Sequence, residues 1–166
     1  MLHHYHCSGY HLSISNNGGL TRNDANSPTG LAAREVALKF TNPDVFVESE
    51  NANIGTAEGI TMCAWVLPAS VSDPLAISNV VGVGSSDSLS VGIFYQNGNF
   101  VPFVQTISNL RREISTNQWH FIAITNHPDD AGFYVDTTKD VLPSFSVDGS
   151  NRLFVGGSPD RFSFDG

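Results

Sequence analysis

Short segments in which apolar and polar residues alternate recur along almost the whole chain, and turn-forming residues separate them. The clearest are residues 36–40, 60–66, 119–125, 133–136 and 153–157. A period of two places every second side chain on the same face of a strand. Turn signals at intervals of roughly 8 to 12 residues, without intervening helical patterns, are typical of antiparallel sheets packed face to face. The chain is therefore predicted to be all-β.

Individual strands are predicted near residues 76–83, 88–96, 99–106, 109–115, 118–125, 131–136, 139–145 and 152–156. Asn97-Gly98, between two alternating runs, predicts a two-residue hairpin. Pro102 predicts an edge or a bulge in its strand, because proline has no N–H to donate. Residues 60–67 are interpreted as apolar on both faces, which predicts a central strand covered on each side.

Length and charge exclude several classes of protein. The 166 residues suit a single domain over residues 1–166, with an N-terminal strand and loop in residues 1–30. Sixteen acidic residues against eight Lys and Arg give a net charge of −8, and the one basic pair, Arg111-Arg112, is too small to attract nucleic acid. No run approaches the roughly 20 apolar residues that cross a bilayer, so we expect no membrane insertion. The first residues lack the apolar core of a signal peptide.

Two cysteines, Cys7 and Cys63, lie far apart in sequence. A disulfide between them would close a long loop and contribute up to roughly 4 kcal/mol to stability. Alternatively, both are buried thiols that pack as small hydrophobic side chains. The sequence leaves the two alternatives open.

From about Leu31 to Gly166 the order of these phrases resembles the laminin G-like, concanavalin A-like jelly-roll family. The most specific part is Trp119-His120 with its alternating strand, followed by Tyr134-Val135-Asp136. The resemblance implies a two-sheet antiparallel β-sandwich in which His120 packs within the sheet. Where the family commonly has Asp-Gly, this chain continues from Asp136 into Thr137, so we expect a different hairpin turn.

The resemblance also implies an open sheet edge. Family members usually continue past an aromatic–glycine phrase, here Phe164-Asp165-Gly166, into a closing strand, whereas this sequence stops there. An uncovered edge presents unpaired backbone groups that recruit other strands. Three explanations remain open: the chain is a truncated piece, its N-terminal segment fills the place, or an identical subunit donates the strand.

Catalytic patterns are weak in this sequence. The related glucanases carry a Glu-x-Asp-x-Glu strand for retaining hydrolysis, and the nearest match is Glu48-Ser49-Glu50, which lacks the central Asp. A solvated strand end is the favoured interpretation of this segment. We find no phosphate loop, nucleophile elbow or metalloprotease motif. The expectation is that the protein is not an enzyme.

Calcium is the cofactor that the resemblance suggests, since jelly-roll modules often hold it at a loop rim with Asp side chains. The candidate ligands are Asp24, Asp73, Asp87 and Asp148. None has a spacing that selects for calcium, and capping of a turn is the alternative role for each.

A sugar-binding surface would combine an aromatic platform with amides and a cation. Such residues cluster around the predicted hairpin and its return strand: Tyr95, Asn97, Asn99, Phe100 and Arg111. The alternative is that Tyr95 and Phe100 are core residues or cross-strand partners.

Two functional hypotheses follow. The first is a non-catalytic recognition or adhesion module, extracellular or surface-associated, that binds a glycan or an extracellular protein through loops of a rigid sandwich. The second is a self-assembling structural subunit of a filament, surface layer or virion, completed by strand donation between identical subunits.

Overall fold

The computed structural model describes residues 12–15, 20–23, 37–40, 46–49, 59–69, 76–85, 88–104, 106–107, 109–127, 129–145, 147, 152–158 and 162–164. Its strands are β1 (Leu12–Ser15), β2 (Leu20–Asn23), β3 (Ala37–Phe40), β4 (Phe46–Ser49), β5 (Ile60–Val66), β6 (Ser78–Gly84), β7 (Leu89–Gln96), β8 (Asn99–Val104), β9 (Thr106–Ile107), β10 (Arg112–Glu113), β11 (His120–His127), β12 (Asp130–Val135), β13 (Thr138–Val141), β14 (Arg152–Val155) and β15 (Phe162–Ser163).

These strands form two main sheets. The larger has the order β1-β4-β14-β6-β7-β8-β10, with β15 pairing parallel to β6 and β9 pairing with β8. The smaller has the order β13-β12-β11-β5, and β2 with β3 forms a separate pair. Apart from β15 all the pairings are antiparallel. The predicted all-β, two-sheet sandwich is therefore confirmed.

The main core lies between the two sheets. On β7 of the larger sheet, Val91, Ile93 and Tyr95 are buried, and Ile122 and Ile124 of β11 in the smaller sheet belong to the same cluster. In both strands the residues that belong to this cluster are every second one, so the period of two selects the face that points between the sheets. Branched and aromatic side chains at these positions supply most of the apolar area that the fold removes from water.

The larger sheet is buried on its other face as well. Phe94, Val101, Phe103 and Phe154 form a second cluster there with Leu89, and Phe94 stacks on Phe103 with their ring centroids 4.9 Å apart. Strand β7 therefore has buried side chains on both faces, which explains its nearly continuous apolar sequence.

The prediction that residues 60–67 form the central, doubly covered strand is wrong. Strand β5 pairs only with β11 among the described strands. Met62 and Val66 face the core, whereas Thr61, Cys63 and Trp65 are exposed. The segment does alternate, but Cys63 and Trp65 count as apolar in composition and conceal that alternation.

The two-residue hairpin predicted at Asn97-Gly98 is present, between β7 and β8. Asn97 and Gly98 both have positive φ, 48° and 74°, as the turn that fits the strand twist requires. Pro102 pairs with Ile93 on β7, and on the other side of β8 neither β9 nor β10 pairs with it. Proline lies at this gap, as expected for a residue without an N–H to donate.

Both ends of the described chain take part in the larger sheet. Strand β1 pairs with β4 over four residues, so the N-terminal segment supplies an outer strand. Phe164 is buried in the main core, where its ring meets Tyr95 edge-on. Among the described residues, no helix has the length and apolar character needed to cross a membrane.

Candidate functional site

An open cleft of about 630 Å³ lies where the two sheets meet at one end of the sandwich. Strand β10 and the loop after it contribute Arg112, Glu113, Ile114 and Ser115 from the side of the larger sheet. The smaller sheet contributes the start of β11 and the β12–β13 hairpin: His120, Val135, Asp136, Thr137 and Thr138. The lining is thus mainly hydroxyl, carboxylate and guanidinium groups.

Asp136 holds one wall of the cleft in place. It occupies the tight turn between β12 and β13 with a left-handed φ of 53°, a conformation that Asp tolerates better than most residues. Its backbone N–H donates to the Phe121 carbonyl at 2.7 Å. Its carboxylate accepts from the Phe121 N–H at 2.9 Å and contacts His120 Nδ1 at 2.8 Å. The turn is therefore fastened to β11 by side-chain and backbone contacts together.

His120 connects this wall to the opposite one. Its Nε2 lies 2.9 Å from the Ser115 carbonyl oxygen, and its ring meets Phe100 edge-on at 6.2 Å. The expectation that His120 packs within the sheet is confirmed by its 7% exposure. Both ring nitrogens face oxygen acceptors, so the imidazole positions the Ser115 loop and the Asp136 turn.

An ion pair links the two sheets at the edge of the cleft. Arg112 of β10 donates through Nε to Asp140 Oδ2 at 2.5 Å and through Nη2 to Oδ1. This bidentate contact raises the pKa of the Arg112 guanidinium, mainly through the hydrogen bond. The Ile114 N–H also donates to the Gly98 carbonyl at 3.0 Å, which anchors the loop to the β7–β8 hairpin.

The expected aromatic platform is not present. Tyr95 and Phe100 are 6% and 0% exposed, and they are register partners whose ring centroids lie 5.7 Å apart in the core. They occupy the inward face of their strands, so the core alternative is correct for both.

The polar members of the expected surface lie outside the core. Asn97 is exposed at the hairpin turn, and its carbonyl accepts from the Asn99 side chain at 2.8 Å. Arg111 is exposed and donates to Gln96 at 3.0 Å. Ligand binding by these three residues stays a prediction.

The residues expected to bind calcium, Asp24, Asp73, Asp87 and Asp148, lie outside the described residues. Within the described part no group of three or more His, Cys, Asp or Glu could hold a metal ion. Calcium binding stays a prediction. Cys7 is also outside the described part, so the proposed disulfide is untested. The alternative that both cysteines are buried is wrong for Cys63, which is exposed because it lies on the outer face of β5.

The interpretation of residues 48–50 as a solvated strand end is wrong for Glu48. Its side chain is 18% exposed and accepts from Arg152 Nη1 at 3.0 Å. Glu50 lies outside the described residues. The carboxylate of Glu48 serves to pair β4 with β14.

Sequence reasoning missed Glu113, Ser115, Thr137 and Thr138 as cleft residues. These are common surface residue types with no motif of their own. A signal was nevertheless present, because His120 and Asp136 belong to the two most specific phrases and the missed residues lie within a few positions of them.

Comparison with known families and structures agrees with this architecture. A family model described as the concanavalin A-like lectin/glucanases superfamily matches residues 41–166. The chain belongs to this family, as the resemblance in its phrases indicated. None of the curated proteins compared with the chain matches it.

Several solved structures share the fold. A Trypanosoma rangeli sialidase mutant displaying trans-sialidase activity matches 94% of this chain and 26% of its own, with a TM-score of 0.64 and 16% identity. Botulinum neurotoxin type C, studied for ganglioside-dependent cell entry, matches 96% of this chain over 39% of its own chain, with a TM-score of 0.61 and 14% identity. The binding domain of botulinum neurotoxin DC, in complex with rat synaptotagmin II, matches 95% of this chain over 40% of its own chain, with a TM-score of 0.62 and 11% identity.

The chain spans about a quarter of the length of the sialidase chains it matches. At such low identity the likeness concerns the fold alone. The expectation that the protein is not an enzyme, drawn from the absence of catalytic motifs, is nevertheless wrong as it stands, because sialidase chains, one of them displaying trans-sialidase activity, contain the same fold. The sandwich by itself does not exclude catalysis.

Proposed function

We propose that this chain is a carbohydrate-recognition module that binds a glycan in the cleft between β10 and the β12–β13 turn. We further propose that it acts outside the cytoplasm or on a surface, where its glycan partners would be displayed. Membership of a lectin-related family supports the ligand class. The ganglioside interaction of the botulinum neurotoxin that shares the fold supports it further.

The observation that carries the proposal is the chemistry of the cleft lining. Ser115, Thr137 and Thr138 offer hydroxyls, and Glu113 offers an acceptor, all around one concavity. Sugars are recognised by several such groups that converge on their hydroxyls. The contacts of His120 with Asp136 and Ser115 hold these groups in place before a ligand arrives, which reduces the entropy lost on binding.

A glycan array followed by calorimetry tests this proposal. Each of Glu113→Ala and Thr137→Ala should weaken binding of the strongest glycan roughly 2- to 10-fold, the effect of losing one hydrogen bond of about 0.5–1.5 kcal/mol. Thr61→Ala is the matched control, since Thr61 is exposed on β5 away from the cleft, and it should bind normally.

The same experiment examines the other partners. A chelator added during calorimetry tests the separate prediction that calcium contributes, and binding that survives chelation would contradict that prediction. Absence of any glycan signal, or equal affinity for the cleft variants and the wild type, would contradict carbohydrate recognition in this cleft. Binding of a protein with the same cleft dependence would assign the cleft to a protein partner instead.

Self-assembly is a second candidate function, which one observation favours. Strand β5 is the last described strand of the smaller sheet, and the outer strands of sheets are where strands are added between subunits. Light scattering over a range of concentrations tests this. A monodisperse monomer at every concentration would contradict assembly.

A further inference from the structure

We propose that Trp65 and Phe121 form a stacking subsite for one pyranose ring of the glycan held in the cleft. This inference rests on the proposed function and names the surface that the ligand would cover next. The subsite lies on the outer face of the smaller sheet, immediately beyond the Asp136 turn.

Trp65 is unusually exposed for its type. Its surface is 49% accessible, and it is one of three large hydrophobic residues exposed in the described part of the chain. Tryptophan normally has most of its surface buried, so an indole left in water is informative. Its ring contacts Phe121 with centroids 5.5 Å apart and planes inclined at 58°. The two rings support each other and leave apolar surface facing solvent.

Asp136 connects this aromatic pair to the cleft. The register places Phe121 beside Trp65. The N–H of Phe121 donates a hydrogen bond to the Asp136 carboxylate, and its carbonyl accepts one from the Asp136 N–H. Among the described residues each carboxylate oxygen of Asp136 has one partner, and a carboxylate can accept about four hydrogen bonds. Because the side chain is 45% exposed, Asp136 can also accept from sugar hydroxyls between the cleft and the rings.

The size of the apolar surface favours a sugar over a protein partner. On the outer face of β5 the residue next to Trp65 is Cys63, and Thr61 follows two positions further along, paired with the partly exposed Thr125 of β11. The other large apolar residue that is exposed on this sheet, among the described residues, is Val141, which aligns with Thr125 through Gly132. Thr125 lies four residues from Phe121 along β11, which is roughly 13 Å at 3.3 Å per residue. Specific protein interfaces cover about 800 Å² per partner. Two rings bordered by a carboxylate match a single pyranose, which has one apolar C–H face and a hydroxyl rim.

Affinity measurements on substituted proteins test the subsite. The probe is the trisaccharide or larger glycan with the strongest wild-type signal on the array. Trp65→Ala should weaken its binding at least tenfold, whereas Trp65→Phe, which keeps a stacking ring, should stay within about threefold of the wild type. Val141→Ala removes an exposed apolar side chain from the other end of the same sheet face and should change nothing. Thermal unfolding of each variant checks that it is folded.

Fluorescence gives a second readout that does not depend on the alanine variant. Trp119→Phe leaves Trp65 as the only indole in the chain, since the protein contains two tryptophans. A saturating concentration of the same glycan should shift or quench the emission of Trp65, because stacking removes water from its ring.

The outcomes separate the two proposals. If the glycan binds and depends on Glu113 and Thr137, but Trp65→Ala binds equally well and the Trp65 emission is unchanged, the subsite is wrong and the cleft proposal stands. If no glycan binds at all, both proposals fail. If a protein binds with dependence on Trp65, the rings belong to a protein interface and the sugar assignment is overturned.

Discussion

Two hairpins contribute to the candidate cleft in different ways: the β12–β13 hairpin lines it, whereas the β7–β8 hairpin only anchors its β10 wall, through the Gly98 carbonyl that accepts from Ile114. In the β7–β8 hairpin the second residue on each side of the turn, Tyr95 and Phe100, points into the core. In the β12–β13 hairpin the cleft is lined by the two turn residues, Asp136 and Thr137, and by Thr138 after them. Both turns have two residues and both use positive φ. The difference lies in which face of each strand points inward, so turn chemistry alone does not indicate a binding site.

The largest effect should come from the first hairpin. Phe100→Ala should lower the free energy of unfolding by about 3–5 kcal/mol, because it removes a fully buried ring that contacts Tyr95 and His120. Urea denaturation measures the change. Arg111→Ala, at an exposed neighbouring site, is the control and should stay within about 0.5 kcal/mol of the wild type. A small effect of Phe100→Ala would mean that this hairpin does not contribute to the core.

The second hairpin should respond through hydrogen bonds rather than packing. Asp136→Gly should cost about 1.5–3 kcal/mol, the range for hydrogen bonds to a charged group, because it removes the partner of His120 and Phe121. Asp136→Ala should cost roughly 1 kcal/mol more, since alanine is strained at a φ of 53°. Equal stability of the alanine and glycine variants in urea would show that this turn carries no such strain.

The turn of the first hairpin provides the matching test of backbone conformation. Gly98→Ala should cost about 1–2 kcal/mol because Gly98 has a φ of 74°. Asn97→Gly should change stability by less than about 0.5 kcal/mol, since glycine accepts the same φ. The two values, measured by thermal unfolding, show how strongly each position requires left-handed geometry. A Gly98→Ala variant as stable as the wild type would contradict the two-residue turn described here.

The smallest effect concerns a surface ion pair on the cleft hairpin. Lys139 donates to Asp130, and this hydrogen bond holds the pKa of Asp130 below its ordinary value and that of Lys139 above its ordinary value. A depressed carboxyl pKa stabilises the fold at higher pH, and this contribution is lost as pH falls through the lowered value. A raised amine pKa stabilises below its own value and loses its effect as pH rises through it.

Lys139→Met should therefore unfold slightly more easily than the wild type across the neutral range, with the difference vanishing in acid and at strongly alkaline pH. Unfolding midpoints measured against pH check this. Lys39→Met, at an exposed lysine of β3, is the control. A difference between Lys139→Met and the wild type that persists at pH 2 would assign the effect to something other than this pair.

Particular residues show how far sequence reasoning reaches. The hairpin at Asn97-Gly98 and the packed His120 are predicted correctly, because the hairpin follows from local turn chemistry and His120 from a specific phrase. The prediction of a doubly covered strand fails at Trp65, whose side chain lies on the outer face of β5, while Met62 and Val66 lie on the inner face. For Tyr95 and Phe100 the sequence leaves a surface and a core role open, because aromatic chemistry alone does not specify which side of a strand faces the second sheet.

The sequence by itself determined the class of this protein: alternating residues and turn signals require antiparallel sheets, and its phrases indicate the family. Only the tertiary structure decided where a ligand could bind. The cleft exists because β10 of one sheet meets the β12–β13 hairpin of the other. Arg112 with Asp140 joins them directly, and His120 joins them by contacting both Asp136 and the carbonyl of Ser115. Contacts between residues so far apart along the chain depend on how the sheets stack, and local periodicity carries no record of that geometry.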